Sequence, residues 1–342
     1  MTVARSMGEM GTSMKKDVKK LKAHYEKFFE KNSVIGCTCQ TPHLHPELAD
    51  TLGLIDPELH QAPFGSMSPL PPDLEGCTVL DLGCGSGLTV FAAARLVGAK
   101  GRVIGVDLRG NLLVLAEKQL PGFMKKLQYK KPNVEFFKGY PEDLAALGIK
   151  DNSVDVVVAN EFLNLSHDKR AVFAEIFRVL KPGGELCFRT VLADRRLSPA
   201  LAEDRELART GLAGALYGED FRRLFRELGC LDYRAIVKQP LYICDAAMAA
   251  KLGLASFSFR IVRTFKLPLE DLCEDYGQTA IYKGTMPGFP DAFPLDDHHL
   301  FITNKPMLVC GNSGAMVEET RFGRHFTVSG DKLVHYGAFD CS

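Results

Sequence analysis

Short apolar runs alternate with amphipathic segments through the middle of the chain. Buried strands of a parallel sheet are apolar along their whole length, whereas the helices between them carry apolar residues on one side only. One helical segment, residues 168–180, ends at Lys-Pro-Gly-Gly, where proline stops a helix and glycine supplies a left-handed cap. The pattern predicts an α/β fold with a mostly parallel, Rossmann-like sheet and helices on both faces. Its strands are predicted at residues 78–82, 103–107, 134–138, 154–159, 185–191 and 234–238.

The pattern changes on both sides of this region, which divides the chain into three parts. Residues 1–75 combine a charged amphipathic helix at 15–30 with a proline- and glycine-rich connection that we expect to cover the active site. Residues 76–239 carry the alternating strands and helices. Residues 240–342 consist of short β-like runs between turns, such as 280–285, and predict a C-terminal α+β module that forms a lid or binds the substrate.

The composition excludes several classes of partner. The 342 residues include 42 Lys and Arg and 42 Asp and Glu, so the net charge is zero and indicates no surface for nucleic acid or an anionic membrane. No apolar stretch approaches the length of a membrane span, and the first residues lack the apolar segment of a signal peptide. The ten cysteines are spread along the chain, so most are expected to be reduced thiols. We therefore expect a cytoplasmic protein that acts on a small molecule, as a monomer or a dimer.

The most informative segment is the strand-to-turn junction at residues 79–87, Val-Leu-Asp-Leu-Gly-Cys-Gly-Ser-Gly. Three glycines after an apolar strand either make a tight turn only or let a ligand approach the backbone beside a positive helix N-terminus. Their spacing is shorter than the GxGxxG that seats the pyrophosphate of dinucleotides, and Asp107 ends the next strand. This favours S-adenosylmethionine, which has an amino group and ribose hydroxyls but no phosphate. The predicted cofactor site comprises Asp81, Gly83, Cys84, Gly85, Gly87, Asp107, Leu108, Glu142 and Asn160.

Further motifs lie within and after the predicted sheet. They occupy residues 81–87, 163–166, 178–186, 193–198 and 214–217, and, in the C-terminal module, residues 273–278, 295–299, 310–312 and 335–337. With these motifs, over roughly residues 30–341, the chain resembles the arsenite S-adenosylmethionine methyltransferases. The resemblance implies the class I methyltransferase fold and S-adenosylmethionine as the cofactor.

The chain departs from this family at the positions that bind arsenic. The resemblance implies three arsenic-binding cysteines, one each in a Gly-Cys-Gly-Ser-Pro loop, a Ser-Asn-Cys segment and a Gly-Glu-Cys-Leu helix. The matching residues here are Ser66, Glu161 and Gly211. Trivalent arsenic is a soft centre that prefers thiolates, so arsenite is expected to be a poor substrate. Cys37 and Cys39 stand where the family has a cysteine pair, but Ser66 removes their expected redox partner.

The replacements add charge where the methyl group is expected to be transferred. Glu161 follows the fourth strand, Arg189 and Thr190 lie at the end of the fifth strand, and Arg209 precedes Gly211 by two residues. Arginine binds carboxylates through two parallel hydrogen bonds, so these residues, with Ser66, predict a catalytic pocket for a small acidic acceptor. The sequence favours S-methylation of a thioether or thiol acid, with a sulfonium product if the acceptor is a thioether.

Several alternatives remain open. Glu161 is a general base for a hydroxyl or amine acceptor, stabilises a developing cation, or forms a structural ion pair with Arg189. The protein as a whole methylates arsenite instead, or binds the adenosyl ligand as a regulatory protein without catalysis. No metal is expected, because methyl transfer depends on positioning and desolvation. One motif contains residues that often bind metals: Asp296, Asp297, His298 and His299. On a strand, adjacent side chains point to opposite faces, so at most two of the four could share a site.

Overall fold

The computed structural model describes residues 47–60, 67–160 and 162–341. The predicted helix at 15–30 lies outside these ranges, as do Cys37, Cys39, Ser66 and Glu161. The main element is an eight-stranded sheet. Its strands are β1 (Thr78–Leu82), β2 (Arg102–Asp107), β3 (Val134–Lys138), β4 (Val154–Asn160), β5 (Leu180–Ala193), β6 (Leu216–Tyr217), β7 (Arg234–Leu241) and β8 (Phe257–Phe265).

The strand order is β3-β2-β1-β4-β5-β8-β7, and β6 pairs with the end of β5. Neighbours from β3 to β5 are parallel, whereas β8 is antiparallel to both β5 and β7. After β3 the chain crosses back over the sheet to add β4 on the other side of β1. Such a reversal opens a crevice at the carboxyl ends of the two central strands, where open α/β sheets bind their ligands. The predicted class I methyltransferase architecture is confirmed.

Helices cover both faces of the sheet because successive strand side chains point to opposite faces. Val79 packs in one apolar cluster with Phe91 and Phe123, and Leu80 packs in the other with Phe173 and Phe221. The helices described before residue 253 are α1 (Leu48–Leu52), α2 (Pro57–His60), α3 (Leu88–Leu96), α4 (Gly110–Lys126), α5 (Phe162–Leu165), α6 (Lys169–Val179), α7 (Pro199–Ala202), α8 (Arg205–Arg209), α9 (Gly218–Glu227) and α10 (Ala246–Leu252). The described helices include none with the length and apolar character needed to span a membrane.

The last part of the chain forms a separate apolar core of its own, around Tyr282, Phe293 and Phe322. Three antiparallel strands in the order β13-β10-β14 are its centre, and two short strand pairs, β11 with β12 and β9 with β15, flank them. The elements are β9 (Glu274–Asp275), β10 (Gln278–Tyr282), β11 (Ala292–Pro294), β12 (Leu300–Ile302), β13 (Pro306–Val309), α11 (Gly311–Glu318), β14 (Phe326–Ser329) and β15 (Gly337–Ala338).

Two expectations need correction. The predicted boundary at residue 239 falls too early, because β8 is a full member of the main sheet between β5 and β7. The motif at residues 296–299 does not lie on a strand: it forms a bend between β11 and β12. The ligand atoms of Asp296, Asp297 and His298 therefore lie within 4.8 Å of one another, so three of these side chains come together rather than two.

A buried carboxylate joins the main sheet to the C-terminal module. Glu185 of β5 is fully buried and accepts a hydrogen bond of 2.8 Å from Arg263 of β8, which is itself only 1% exposed. Arg321 of the C-terminal module donates to the other oxygen of Glu185 and, over 2.9 Å, to the carbonyl of Asp73, five residues before β1. Burial alone would raise the pKa of Glu185, but the charges of Arg263 and Arg321 outweigh it and lower that pKa.

The substitution Glu185→Gln should lower the free energy of unfolding by about 3–5 kcal/mol, because it leaves two buried guanidinium groups without their counter-charge. Urea denaturation followed by circular dichroism measures this loss. The matched control is Glu135→Gln, which breaks the exposed pair with Arg102 and should cost less than about 1 kcal/mol. Equal losses for the two variants would contradict a structural role for Glu185.

Candidate active site

The loop between β1 and α3 packs closely against the side chains around it. Gly83, Gly85 and Gly87 all have positive φ angles, of 75°, 57° and 85°. A Cβ on Gly87 would lie 3.1 Å from the ring of Phe136. Gly105 of β2 lies beneath the loop, where a Cβ would be 2.9 Å from the sulfur of Cys84. Sequence analysis missed Gly105, although a glycine inside an apolar strand is itself a sign of close approach.

Asp107 ends β2 and turns its carboxylate towards this loop. It accepts hydrogen bonds from the backbone N–H of Gly85 over 2.7 Å and from that of Arg109 over 2.8 Å. The guanidinium of Arg109 adds two contacts of 3.0 Å. A ribose bound at Asp107 would share that carboxylate with Arg109, a residue that the sequence did not mark. Leu108 follows Asp107 and is partly buried.

Asp81 lies inside β1 and is completely buried. One of its oxygens accepts a hydrogen bond of 2.7 Å from the hydroxyl of Ser68, and the other has no partner among the described residues. Burial, with a smaller contribution from the nearby charge of Asp107, raises the pKa of Asp81 to about 7. An ammonium group is the partner that this carboxylate lacks, and S-adenosylmethionine carries one. The residues present therefore fit that cofactor.

The residues predicted to face the acceptor lie where β4 ends beside β5. Asn160, the last residue of β4, lies opposite Arg189 in the register of β4 with β5. The guanidinium of Arg189 lies 4.5 Å above the ring of Phe259, a contact that holds it by cation–π attraction. Glu142 accepts a hydrogen bond of 3.2 Å from Ser166, just after α5. Glu161, which follows Asn160, is outside the described residues, so its three possible roles stay predictions.

Asn164 of α5 fixes the backbone around this region. Its side-chain oxygen accepts hydrogen bonds of 3.1 Å from the hydroxyl of Thr190 and from the N–H of Val191, and its N–H donates to the carbonyl of Val191 over 2.8 Å. A Cβ on Gly214 would lie 1.8 Å from the backbone carbonyl oxygen of Asn164. A Cβ on Gly211 would lie 3.4 Å from the Cβ of Asn164. These contacts bring α5, the end of β5 and the segment after α8 together.

Arg209 is the last residue of α8 and is half-buried. Within the described ranges, Arg209 forms no ion pair with a carboxylate. Seven of the eight cysteines in those ranges are free and Cys244 is disulfide-bonded. Cys84 is buried in the glycine loop, where burial raises its pKa well above the usual range. A thiol of this kind packs beside the ligand rather than reacting with it.

Known proteins share both the sheet and the C-terminal module. Residues 73–229 match a family model described as a methyltransferase domain, and residues 276–337 match the arsenite methyltransferase C-terminal domain. An arsenite methyltransferase of Aquipseudomonas alcaligenes is 43% identical over 320 residues, which are 93% of this chain and 92% of the relative. The chain belongs to the arsenite methyltransferase family.

Two other members of the family extend the comparison. Human arsenite methyltransferase is 30% identical over 303 residues, which are 87% of this chain and 80% of the human protein. The crystal structure of an arsenic(III) S-adenosylmethionine methyltransferase from Chlamydomonas reinhardtii is 44% identical and covers 88% of this chain and 100% of its own, with a TM-score of 0.84. The chain is thus an enzyme, an S-adenosylmethionine-dependent methyltransferase. The assignment of single residues to the cofactor or the acceptor stays a prediction.

Asp107→Ala should weaken the binding of S-adenosylmethionine by about 1.5–3 kcal/mol, the range for hydrogen bonds to a charged group. Calorimetric titration measures the change. Glu135→Ala, which removes an exposed carboxylate from the next strand, is the control and should leave the affinity unchanged. If Asp107→Ala binds the cofactor as tightly as the wild type, the ribose lies elsewhere.

The affinity for S-adenosylmethionine should rise with pH between about 5.5 and 7 and then level off. Below the raised pKa of about 7, Asp81 is protonated in the free enzyme and must lose its proton to pair with the ammonium group. The slope is at most about tenfold per pH unit. Titrations with Asp81→Asn should give a weaker affinity and a flat profile over this range. Parallel profiles for the two proteins would rule out Asp81 as the titrating group.

Proposed function

We propose that this enzyme transfers the methyl group of S-adenosylmethionine to trivalent arsenic. The observation that carries the proposal is the similarity to the A. alcaligenes arsenite methyltransferase, which extends over 93% of the chain. It includes the C-terminal module, whose matching model is that of arsenite methyltransferases. S-methylation of a thioether or thiol acid, which the sequence favoured, has no such support and becomes the second candidate.

The acceptor then has to supply its own sulfur ligands. Position 211, one of the family's three arsenic-binding positions, is a glycine with a φ of 78°. A side chain at that angle is strained, so the backbone conformation at this position favours the glycine that stands in place of the cysteine. The other two positions hold Ser66 and Glu161. We infer that the substrate is arsenic already bound by small thiols, because the chain lacks a thiolate at each of these positions.

Two arginines suit such a substrate. Arg189 of β5, level with the end of β4, is held against Phe259, and Arg209 lies at the end of α8, two residues before Gly211. Small biological thiols commonly carry carboxylates, and a guanidinium binds a carboxylate through two parallel hydrogen bonds. The arginines that led to the prediction of an acidic organic acceptor would then bind the organic ligands of arsenic. This keeps the soft acceptor atom of the family and explains the new charges.

The reaction needs no proton transfer. The lone pair of arsenic forms a bond to the methyl carbon as the bond from that carbon to the sulfonium sulfur breaks, and its electron pair returns to sulfur. S-Adenosylhomocysteine leaves as a neutral thioether, and the positive charge passes to arsenic. The enzyme contributes alignment and the exclusion of water, which are the main requirements of an in-line displacement.

The test offers four acceptors in parallel: arsenite alone, arsenite with glutathione, arsenite with 2-mercaptoethanol, and a thioether acid without arsenic. S-Adenosylhomocysteine and methylated arsenic are measured together. We expect methylated arsenic with glutathione and much less with 2-mercaptoethanol, which has no carboxylate. Arg209→Gln should raise the KM for the glutathione complex about tenfold or more, whereas Arg205→Gln, at the other end of α8, should not.

Each contrary outcome identifies a different error. Turnover of the thioether acid without arsenic would establish the second candidate and overturn the first. Equal rates with glutathione and 2-mercaptoethanol, unaffected by Arg209→Gln, would show that carboxylates are not recognised. Efficient methylation of arsenite without any added thiol would show that the chain supplies thiolates from other positions.

A further inference from the structure

Three cysteines that are far apart in the sequence meet in the C-terminal module. Cys273 directly precedes β9, Cys310 directly precedes α11, and Cys341 lies near the end of the chain. Their sulfur atoms lie within 4.8 Å of one another. None of the three is disulfide-bonded. Cys310 is buried, whereas Cys273 and Cys341 are partly exposed, so the cluster can be reached from solvent.

The backbone holds these thiols in place. The short strands β9 and β15 pair, and just beyond them the N–H of Phe339 donates to the carbonyl of Cys273 over 2.7 Å. Cys341 follows two residues later. The sulfur of Cys310 accepts a hydrogen bond of 3.4 Å from the N–H of Ser313 in the first turn of α11. The cluster is thus positioned by three hydrogen-bonded segments rather than by flexible side chains on one loop.

We propose that Cys273, Cys310 and Cys341 bind one trivalent metalloid ion through three sulfur atoms. Thiolates select soft centres, and arsenic(III) or antimony(III) takes three of them. A structural zinc ion takes four ligands, whereas the described ligand set of this cluster has three. The guanidinium of Arg234 lies 3.9 Å from the Cys310 sulfur and is itself paired with Asp232 and Asp296. The neighbouring charges thus already have partners, and an uncharged metalloid complex needs no further counter-charge.

The binding step balances without any redox change. Arsenous acid has three hydroxyl groups on arsenic. Each of the three thiols forms a sulfur–arsenic bond as one arsenic–oxygen bond breaks, and the thiol proton leaves with that oxygen as water. Three molecules of water are released, and the bound product is uncharged.

This cluster is distinct from the site of methyl transfer. Arg234, which contacts Cys310, begins β7 at the edge of the sheet, and β4, β5 and β8 lie between β7 and β1. At about 4.8 Å per strand, this edge is roughly 20 Å from the strand that leads to the glycine loop. A methyl group cannot pass directly over that distance, so the cluster binds metalloid without methylating it. The inference does not depend on the acceptor proposed above.

The experiment compares two variants that each lose three cysteines, all of which are thiols once the protein is reduced. One is C273S/C310S/C341S, and the matched control is C37S/C39S/C244S. Each protein is reduced, incubated with arsenite without S-adenosylmethionine, and desalted, and its arsenic is counted by mass spectrometry. The cluster variant should retain one arsenic fewer per chain than wild type. The control variant should still retain the arsenic that the cluster binds. Equal arsenic contents in the cluster variant and the wild type would overturn the proposal.

A second measurement uses the wild-type protein and needs no variant to fold. Iodoacetamide labelling of Cys273 and Cys341 is followed by peptide mass spectrometry. With arsenite at about ten times its Kd, labelling of both should slow roughly tenfold by mass action. If arsenite does not slow the labelling of these cysteines, the proposed site is wrong. If Zn²⁺ slows the labelling but arsenite does not, the assignment of the site to a metalloid is wrong. Because no methyl donor is present, these results are independent of the acceptor assay.

Discussion

The rest of the structure depends on the buried carboxylate of Glu185. An uncompensated charge at this depth would be very costly, so its two oxygens require Arg263 from β8 and Arg321 from the C-terminal module. Arg321 in turn donates to the backbone at Asp73, five residues before β1. One ion cluster thus fixes the central strand, the antiparallel edge and the C-terminal module relative to one another, and with them the strand that carries the glycine loop.

A second buried carboxylate, Asp81, shows how the same physics gives a binding site instead of a structural one. Glu185 has two guanidinium partners, and its pKa is lowered. Asp81 has one hydroxyl partner, and burial raises its pKa to about 7. The first carboxylate is fully satisfied by the fold, whereas the second has an oxygen for which the described residues supply no donor. Stability and affinity are therefore assigned to different carboxylates, on β5 and on β1, which are separated by β4.

A feature of this structure could be predicted from the sequence when the residues that form it lie close together along the chain. Local patterns identified the parallel strands, the glycine loop and Asp107, since each is encoded within a few residues. They missed β8, because Arg260 and Arg263 interrupt its apolar run, and Arg263 is buried only through a partner 78 residues away. The role of Asn164 and the contact of Phe259 with Arg189 depend on segments that meet only in the folded chain. Nothing in a linear pattern indicates them.

The positions of the cysteines determine where this chain can bind a metalloid. Position 211, at which the resemblance implies an arsenic-binding thiol, holds a glycine whose φ of 78° disfavours any side chain. The free thiols at positions 273, 310 and 341 converge instead in the C-terminal module, roughly four strands from the glycine loop. A soft centre is drawn to wherever three sulfurs can surround it. In this chain, metalloid binding by the protein and methyl transfer from the cofactor are therefore expected at two places, and the acceptor at the second has to arrive with ligands of its own.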